Sequence, residues 1–166
     1  MFRVHTIGST SLFIVKRPHG GPALTDGLEK IRAAGVHRLV SLLMPDEEEF
    51  HELSAEGDTW RRLGLEFVSV PVTDLAVPED AAEFQAAVAK VVRGLRDGES
   101  AGIHCRQSIG RSGLFAAAVL VALGMSSKEA FETTSIARGF DVPLTEEQGL
   151  WLEEHESQIA SLCPRP

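Results

Sequence analysis

A chain of 166 residues with 43% hydrophobic content is long enough to bury one core, and we expect a single domain over residues 1–166. Its formal net charge of -8 argues against general affinity for nucleic acid or for an anionic membrane, because an acidic surface repels phosphate groups. Any phosphate that the protein binds must therefore be held in a local pocket.

The sequence predicts a protein of the cytoplasm. The longest apolar run, residues 114–123, is about half as long as a membrane-spanning helix, and the first residues lack the pattern of a signal sequence. Cys105 and Cys163 form no CxxC pair and no cluster with histidine at zinc-ligand spacing. We therefore expect no metal, no cofactor and no disulfide, with Cys105 as a free thiol.

Short β-prone runs alternate with helical patterns along the chain. The first half contains a hairpin of strands 4–7 and 12–15, a helix with Leu24, Leu28 and Ile31 and a capping box of Asp26 and Glu29, a buried strand 36–43, an acidic helical segment from Pro45, and a strand 65–70. The second half contains a loop 72–77, a helix from Pro78 with an apolar stripe of Phe84, Val88, Val91, Val92 and Leu95, a strand 101–105, and helices 111–123, 127–137 and 145–159. This order predicts an α/β fold with a central, mostly parallel sheet flanked by helices.

Residues 103–113, IHCRQSIGRSG, lie between a predicted strand and a predicted helix, at the edge of the sheet where α/β folds bind ligands. Such a loop directs its backbone amides and a helix dipole at one point and so favours an anion. Arg111 at a helix N-terminus is electrostatically unfavourable unless an anion accompanies it. The same surroundings stabilise a thiolate at Cys105. The stretch therefore combines a nucleophile with a site for a tetrahedral anion, whereas Gly110-Arg111-Ser112 does not match a nucleotide-binding phosphate loop.

The arrangement of His104-Cys105 followed by Arg111-Ser112 resembles the signature of the cysteine-dependent protein tyrosine phosphatases. The short chain is most similar to the dual-specificity branch, in particular to kinase-associated phosphatase-like bacterial members, and the resemblance extends from residue 40 to residue 148. It implies the fold of that family and the hydrolysis of phosphomonoesters through a phosphocysteine, without a metal.

The resemblance also implies a role for each residue of the signature. Cys105 attacks phosphorus and Arg111 holds two of its oxygens, while His104 orients the loop and Ser112 hydrogen-bonds to the thiolate. The remaining contacts to phosphate, or to sulfate or vanadate in its place, come from the amides of Arg106, Gln107, Ser108, Ile109, Gly110 and Arg111. Structural alternatives are a strand histidine satisfied by backbone for His104 and a helix-start hydroxyl for Ser112.

Ser108 departs from the family pattern, because members commonly have glycine three residues after the cysteine. If this position requires a left-handed backbone or a close approach to the ligand, serine costs up to about 2 kcal/mol or changes the loop. Ser108 therefore prompts a different hypothesis, a phosphate-binding module without efficient turnover.

Asp74 is the candidate general acid, because it lies in the loop 72–77 and matches the acid loop of the family in its spacing and its flanking prolines. The alternative is a turn aspartate that caps its own backbone. Asp80 is a rival acid, but we place it in the first turn of the following helix, where the dipole alone favours a carboxylate.

Gln148 is the candidate for orienting the water that hydrolyses the phosphocysteine, although Thr145 and Gln148 also fit a capping box. Arg17 and Arg138 are candidate walls of the pocket, with solvated loop arginines as the alternative.

The expected substrates are phosphotyrosine, phosphoserine and phosphothreonine in proteins, acted on by a monomer. Arg106 after the cysteine also fits a phosphoinositide or another small phosphoester, but Ile109 is apolar where enzymes for such polyanions often carry a second basic residue. An arsenate reductase or a sulfurtransferase fits less well, because no matching resolving cysteine accompanies Cys105.

Overall fold

The computed structural model describes residues 1–163. The strands are β1 (Phe2–Ile7), β2 (Thr10–Ile14), β3 (Arg38–Ser41), β4 (Glu66–Ser69) and β5 (Ala101–His104). Within residues 1–163 they form a five-stranded sheet in the order β1-β2-β5-β3-β4. β1 and β2 pair antiparallel, and all other neighbours pair parallel, which confirms the predicted hairpin and the mostly parallel sheet. The sequence also predicts fraying after Leu162, and residues 164–166 lie outside the described residues.

The helices follow the strands in the order that the sequence predicts, with one addition. They are α1 (Leu24–Ala33), α2 (Pro45–Phe50), α3 (Glu56–Arg62), α4 (Ala81–Arg96), α5 (Gly110–Ala122), α6 (Ser127–Arg138) and α7 (Glu146–Ala160). The acidic segment that we expected as one helical pattern contains two helices, α2 and α3. The helical conformation is interrupted between them at Glu52, which has a positive φ of 55°.

Two predicted helix starts are wrong. The expected capping box of Asp26 and Glu29 does not form, because α1 begins earlier, after a 3₁₀ turn, and its cap residue Ala23 makes no side-chain hydrogen bond. α4 begins at Ala81 rather than at the predicted Pro78. Asp80 is its N-cap and accepts a hydrogen bond from the amide of Glu83 at 2.9 Å, so it lies before the first turn and not inside it.

The sheet separates two hydrophobic clusters, because side chains alternate along each strand. Leu12 and Ile14 of β2 belong to the larger cluster, to which α4, α5, α6 and α7 contribute, and Phe13 belongs to the smaller one with residues of α1 and α3. Every residue of α5 is buried, so this helix is enclosed by protein. Within residues 1–163 no helix is long and apolar enough to cross a membrane. Because β5 and α5 are both buried, the loop between them is held at both of its ends.

Candidate active site

The nucleophile candidate lies where the central strand meets the central helix. Cys105 directly follows β5, it is 2% exposed, and its Sγ lies 3.5 Å from the hydroxyl oxygen of Ser112 in the first turn of α5. Both elements are buried, so the backbone holds the two side chains together. The contact that the family resemblance predicts between Ser112 and the sulfur is thus present in the structure.

The loop from Arg106 to Ile109 presents unpaired backbone donors. Within residues 1–163, no protein atom accepts a hydrogen bond from the backbone amides of these four residues. α5 has no side-chain cap at Ile109 and no acidic residue in its first turn. Free amides and an unneutralised helix N-terminus attract an anion, because each unpaired donor and the dipole favour negative charge.

Arg111 is a buried cation beside the thiol, with 1% of its surface exposed. Its Nη1 donates to the carbonyl oxygens of Leu42 at 3.2 Å and Val72 at 2.8 Å. Burial alone would lower the pKa of Arg111, but the hydrogen bond to Glu47 and the negative charges around the guanidinium outweigh this effect and raise it. The Nε atom is buried without a partner in the described part of the chain, so it is a further donor for an oxyanion.

Glu47 is a site residue that we did not predict. Its carboxylate binds Arg111 in a bidentate manner, with contacts of 2.5 and 2.9 Å, and one of its oxygens also accepts from the amide of Met44 at 3.0 Å. Burial would raise the pKa of Glu47, but the bonds from Arg111 and Met44 and the charges of two arginines outweigh burial and lower it. The acidic run 46–49 was the available signal, although nothing local shows which carboxylate turns inwards.

Asp74 lies opposite the loop, in the segment between β4 and α4. One carboxylate oxygen lies 3.1 Å from Nη2 of Arg111, and the other pairs with Arg106. The side chain is 35% exposed and makes no bond to its own turn, so it does not cap its own backbone. The structure therefore brings this predicted acid together with Arg111, whereas Asp80 is occupied as a helix cap.

Gln148 is fully buried and contacts the acid segment. Its Nε2 donates to the carbonyl of Ala76 at 3.0 Å, and its Oε1 accepts from the amide of Leu144 at 3.3 Å. Thr145 caps α7 by accepting from the amide of Gln148 at 3.2 Å, but the Gln148 side chain does not return the bond, so the capping box is incomplete. The side-chain amide thus holds the acid segment.

His104 lies beside a buried carboxylate. Its Nε2 lies 3.1 Å from a carboxylate oxygen of Glu56, both side chains are buried, and Nδ1 has no partner in the described chain. The two groups are close, but they are not aligned as a hydrogen bond, because neither atom has a partner of suitable geometry. The ring is therefore not satisfied by backbone groups of the described chain. Nothing within residues 1–163 forms a cluster of metal-ligating side chains.

Ser108 and Arg138 meet on the outer side of the loop. Ser108 has a positive φ of 56°, as expected if its position requires a left-handed backbone, and its hydroxyl donates to the carbonyl of Val15 at 2.6 Å. Arg138 was one of the candidate wall residues. It ends α6, and its Nε donates to the carbonyl of Ser108 at 2.6 Å, so it is not a solvated loop residue. Arg17 is partly buried and donates to the carbonyl of Pro18 at 3.3 Å.

A family model described as "Polymorphic toxin system, DSP-PTPase phosphatase" matches residues 14–125, which is more than half of the chain. Protein 197R of Invertebrate iridescent virus 6, which is named as a tyrosine phosphatase, is 29% identical over 136 residues. That match covers 80% of this chain and 48% of the relative, so the chain spans about half the length of the curated relative.

Solved structures show the same fold at low sequence identity. Kinase-associated phosphatase, in a form with serine in place of its catalytic-site cysteine, is 21% identical with a TM-score of 0.83, and the match covers 95% of this chain and 91% of that one. The active form of Tk-PTP is 23% identical with a TM-score of 0.74, covering 94% and 97% of the two chains. These matches confirm the predicted phosphatase fold, and with the family match they show that the chain belongs to the dual-specificity, protein tyrosine phosphatase family.

Proposed function

We propose that this protein hydrolyses phosphomonoesters through a covalent phosphocysteine, and that residues 1–166 act as one phosphatase domain. The observation that carries this proposal is that one strand–loop–helix unit holds three groups: the Cys105 sulfur, the loop amides that lack a backbone acceptor within residues 1–163, and the buried guanidinium of Arg111. A nucleophile beside donors for a tetrahedral anion is the arrangement that phosphoryl transfer requires.

In the first step, the thiolate of Cys105 attacks phosphorus and a sulfur–phosphorus bond forms. The bond between phosphorus and the leaving oxygen breaks, and Asp74 donates its proton to that oxygen. The phosphate oxygens accept hydrogen bonds from Arg111 and from the loop amides. Substrate thereby replaces the Asp74 carboxylate as a partner of the guanidinium, which the contact of 3.1 Å between them supports.

In the second step, water attacks the phosphocysteine and Asp74 accepts a proton from that water. The sulfur–phosphorus bond breaks, and sulfur departs as a thiolate that the Ser112 hydroxyl stabilises at a distance of 3.5 Å. Phosphate is then released. Ser112 serves the departure of sulfur in particular, because the charge returns to Cys105 in this step.

The preferred substrates are phosphotyrosine, phosphoserine and phosphothreonine in proteins. An open pocket lies directly beside the loop and is lined by Asp46, Glu47, Phe50, His51 and Arg106. Phe50 is 81% exposed there and can pack against the side chain that carries the phosphate. Small phosphoesters remain candidate substrates, because a neighbouring fold, PTPMT1, has been solved with PI(5)P, at 21% identity and a TM-score of 0.71.

The protein is proposed to act as a monomer in the cytoplasm, without binding nucleic acid or membranes. The acidic net charge of -8 supports the second part of this proposal. Two free, buried cysteines are consistent with a reducing compartment.

The test is hydrolysis of a small aryl phosphate in the presence of EDTA. Wild type is expected to turn over and to be inhibited by vanadate, whereas Cys105→Ser loses turnover and still binds phosphate. Cys163→Ser is the matched control, because this second buried thiol contacts the carbonyl of Ala89 at 3.8 Å and not the loop. Full activity of Cys105→Ser would overturn the mechanism, and phosphate binding by a wild type without turnover would favour the binding-module hypothesis.

A further inference from the structure

We propose that Ser108 and Arg138 form an outer clamp that holds the phosphate loop in its anion-binding conformation before an anion arrives. The two residues bind the loop from the side opposite to the anion site, so they are positioning residues. This inference rests on the proposed function of the loop, because it concerns how the same site is prepared for phosphate.

Ser108 ties the loop to the sheet. Its side chain is 1% exposed, and its hydroxyl donates to the carbonyl of Val15 at 2.6 Å. Val15 is itself fixed, since its amide donates to the carbonyl of Ile103, within β5, at 2.9 Å. A left-handed backbone is unfavourable for serine, and this bond is a gain that glycine would not offer.

Arg138 ties the loop to α6. Its Nε donates to the carbonyl of Ser108 at 2.6 Å, and its Nη2 lies 3.4 Å from the carbonyl of Gln107. The guanidinium lies over two aromatic rings, 4.2 Å from the centroid of Phe2 and 5.2 Å from that of Phe140. Aromatic faces attract a cation, so these rings hold the arginine in place.

The planar peptide bond transmits this outer contact to the inner side. In a trans peptide unit the carbonyl and the following amide point in opposite directions. When Arg138 holds the carbonyls of Gln107 and Ser108 on the outside, the amides of Ser108 and Ile109 point towards the other side. Neither amide has an acceptor within residues 1–163, so both remain available to an anion.

A loop that is already shaped binds an anion more tightly, because the anion does not have to order it. The positive charge of Arg138 also favours binding of an anion by the loop. Burial lowers the pKa of Arg138, and the interaction with Cys105 opposes this shift.

The experiment compares the order of the free loop and its affinity for an anion between wild type and the variants Arg138→Met and Ser108→Gly. The readouts are hydrogen exchange of the amides of residues 106–109 without ligand, and the Kd of vanadate by calorimetry. Arg138→Met is expected to accelerate exchange and to raise both the vanadate Kd and the KM for an aryl phosphate about 10-fold, with a smaller effect on kcat. Ser108→Gly should act in the same direction, and the double variant should deviate from additivity.

Arg61→Met is the matched control, because Arg61 also lies over a phenylalanine ring, 5.6 Å from the centroid of Phe67, but on α3. It should leave exchange of the loop and vanadate affinity unchanged. If Arg138→Met does not fold, the same criteria apply to Arg138→Lys, which retains the charge and loses the planar fork.

Wild-type exchange and wild-type vanadate affinity in a folded Arg138 variant would overturn the clamp. Hydrogen exchange is measured without substrate, so this result differs from a failure of the proposed function. If the proposed phosphatase function fails, wild-type protein would show no turnover, although the loop amides would still be protected from hydrogen exchange.

Discussion

The phosphate loop, residues 106–111, and the acid loop, residues 73–76, face the same site but are held differently. The phosphate loop begins after a buried strand and ends in the first turn of α5, a helix in which every residue is buried. The acid loop carries the exposed Leu75, with a positive φ of 62°, and it is held from outside by side chains: Arg106, Arg111, Thr145 and Gln148.

The difference indicates that the two loops serve different steps, with the phosphate loop stabilising charge and the acid loop transferring a proton. Groups that must stabilise charge work best when they are fixed in advance, because no reorganisation is then needed during the reaction. In the proposed mechanism, the acid must approach the leaving group and the acid loop must then release the product, and segments that move belong to the less stable parts of a fold. Substitutions in the two loops should therefore change different kinetic parameters.

The largest effect is expected from Arg111→Met in the fixed loop. The variant loses the guanidinium donors to phosphate and leaves Glu47 without its partner, so kcat/KM should fall at least about 1,000-fold. Steady-state kinetics with an aryl phosphate measures the loss, and circular dichroism controls for folding. A loss below 10-fold in folded protein would contradict the placement of Arg111 at the phosphate.

Asp74→Asn should act on the acid loop and reduce kcat about 100-fold or more, with the affinity for vanadate kept within a few fold. The reason is that the amide cannot donate a proton to the leaving oxygen, while the arginine and the backbone amides that bind phosphate are all retained. Asp80→Asn is the matched control, because Asp80 caps α4 and should leave kcat unchanged. A larger loss of kcat in Asp80→Asn than in Asp74→Asn would reverse the assignment of the acid.

Gln148→Ala should loosen the acid loop and lower kcat about 10-fold, because the bond of 3.0 Å to the carbonyl of Ala76 is lost. Hydrogen exchange should increase in residues 73–76 and remain unchanged in residues 106–111. Gln158→Ala serves as control, because Gln158 lies on α7 like Gln148 but pairs at the surface with Gln85 of α4. If only breakdown of the phosphoenzyme slows, and the acid loop keeps its exchange rate, Gln148 orients water instead.

Glu47→Gln should have the smallest effect. We expect it to lower the Tm by about 3 °C at neutral pH. The pKa of Glu47 is lowered in the folded state, so its ion pair with Arg111 stabilises the protein fully above the usual value of 4.5 and is lost as pH falls below it. The difference in Tm between wild type and variant should therefore shrink as pH decreases from 6 to 3.5. Glu49→Gln, at an exposed position of the same helix, should show no such trend, and a difference in Tm that is undiminished at pH 3.5 would contradict the ion pair.

The proximity of the phosphate-loop residues could be predicted from local sequence. Cys105, Arg111 and Ser112 lie within one strand–loop–helix unit, so their relative positions depend on local backbone geometry. The position of Asp74 in a loop was also predictable, because this loop is bounded by a strand and a helix that local patterns identify. The α/β class followed in the same way from the alternation of periodic patterns.

The distant side chains that support these groups could not be predicted, because they are brought to the site by long-range packing. Glu47 and Arg111 are 64 positions apart, Gln148 meets Ala76 across 72 positions, and Arg138 reaches Ser108 across 30. Long-range packing also decided the strand order β1-β2-β5-β3-β4 and the orientation of His104 towards Glu56. Such contacts depend on how whole helices pack on the sheet, and no local pattern of residues carries that information.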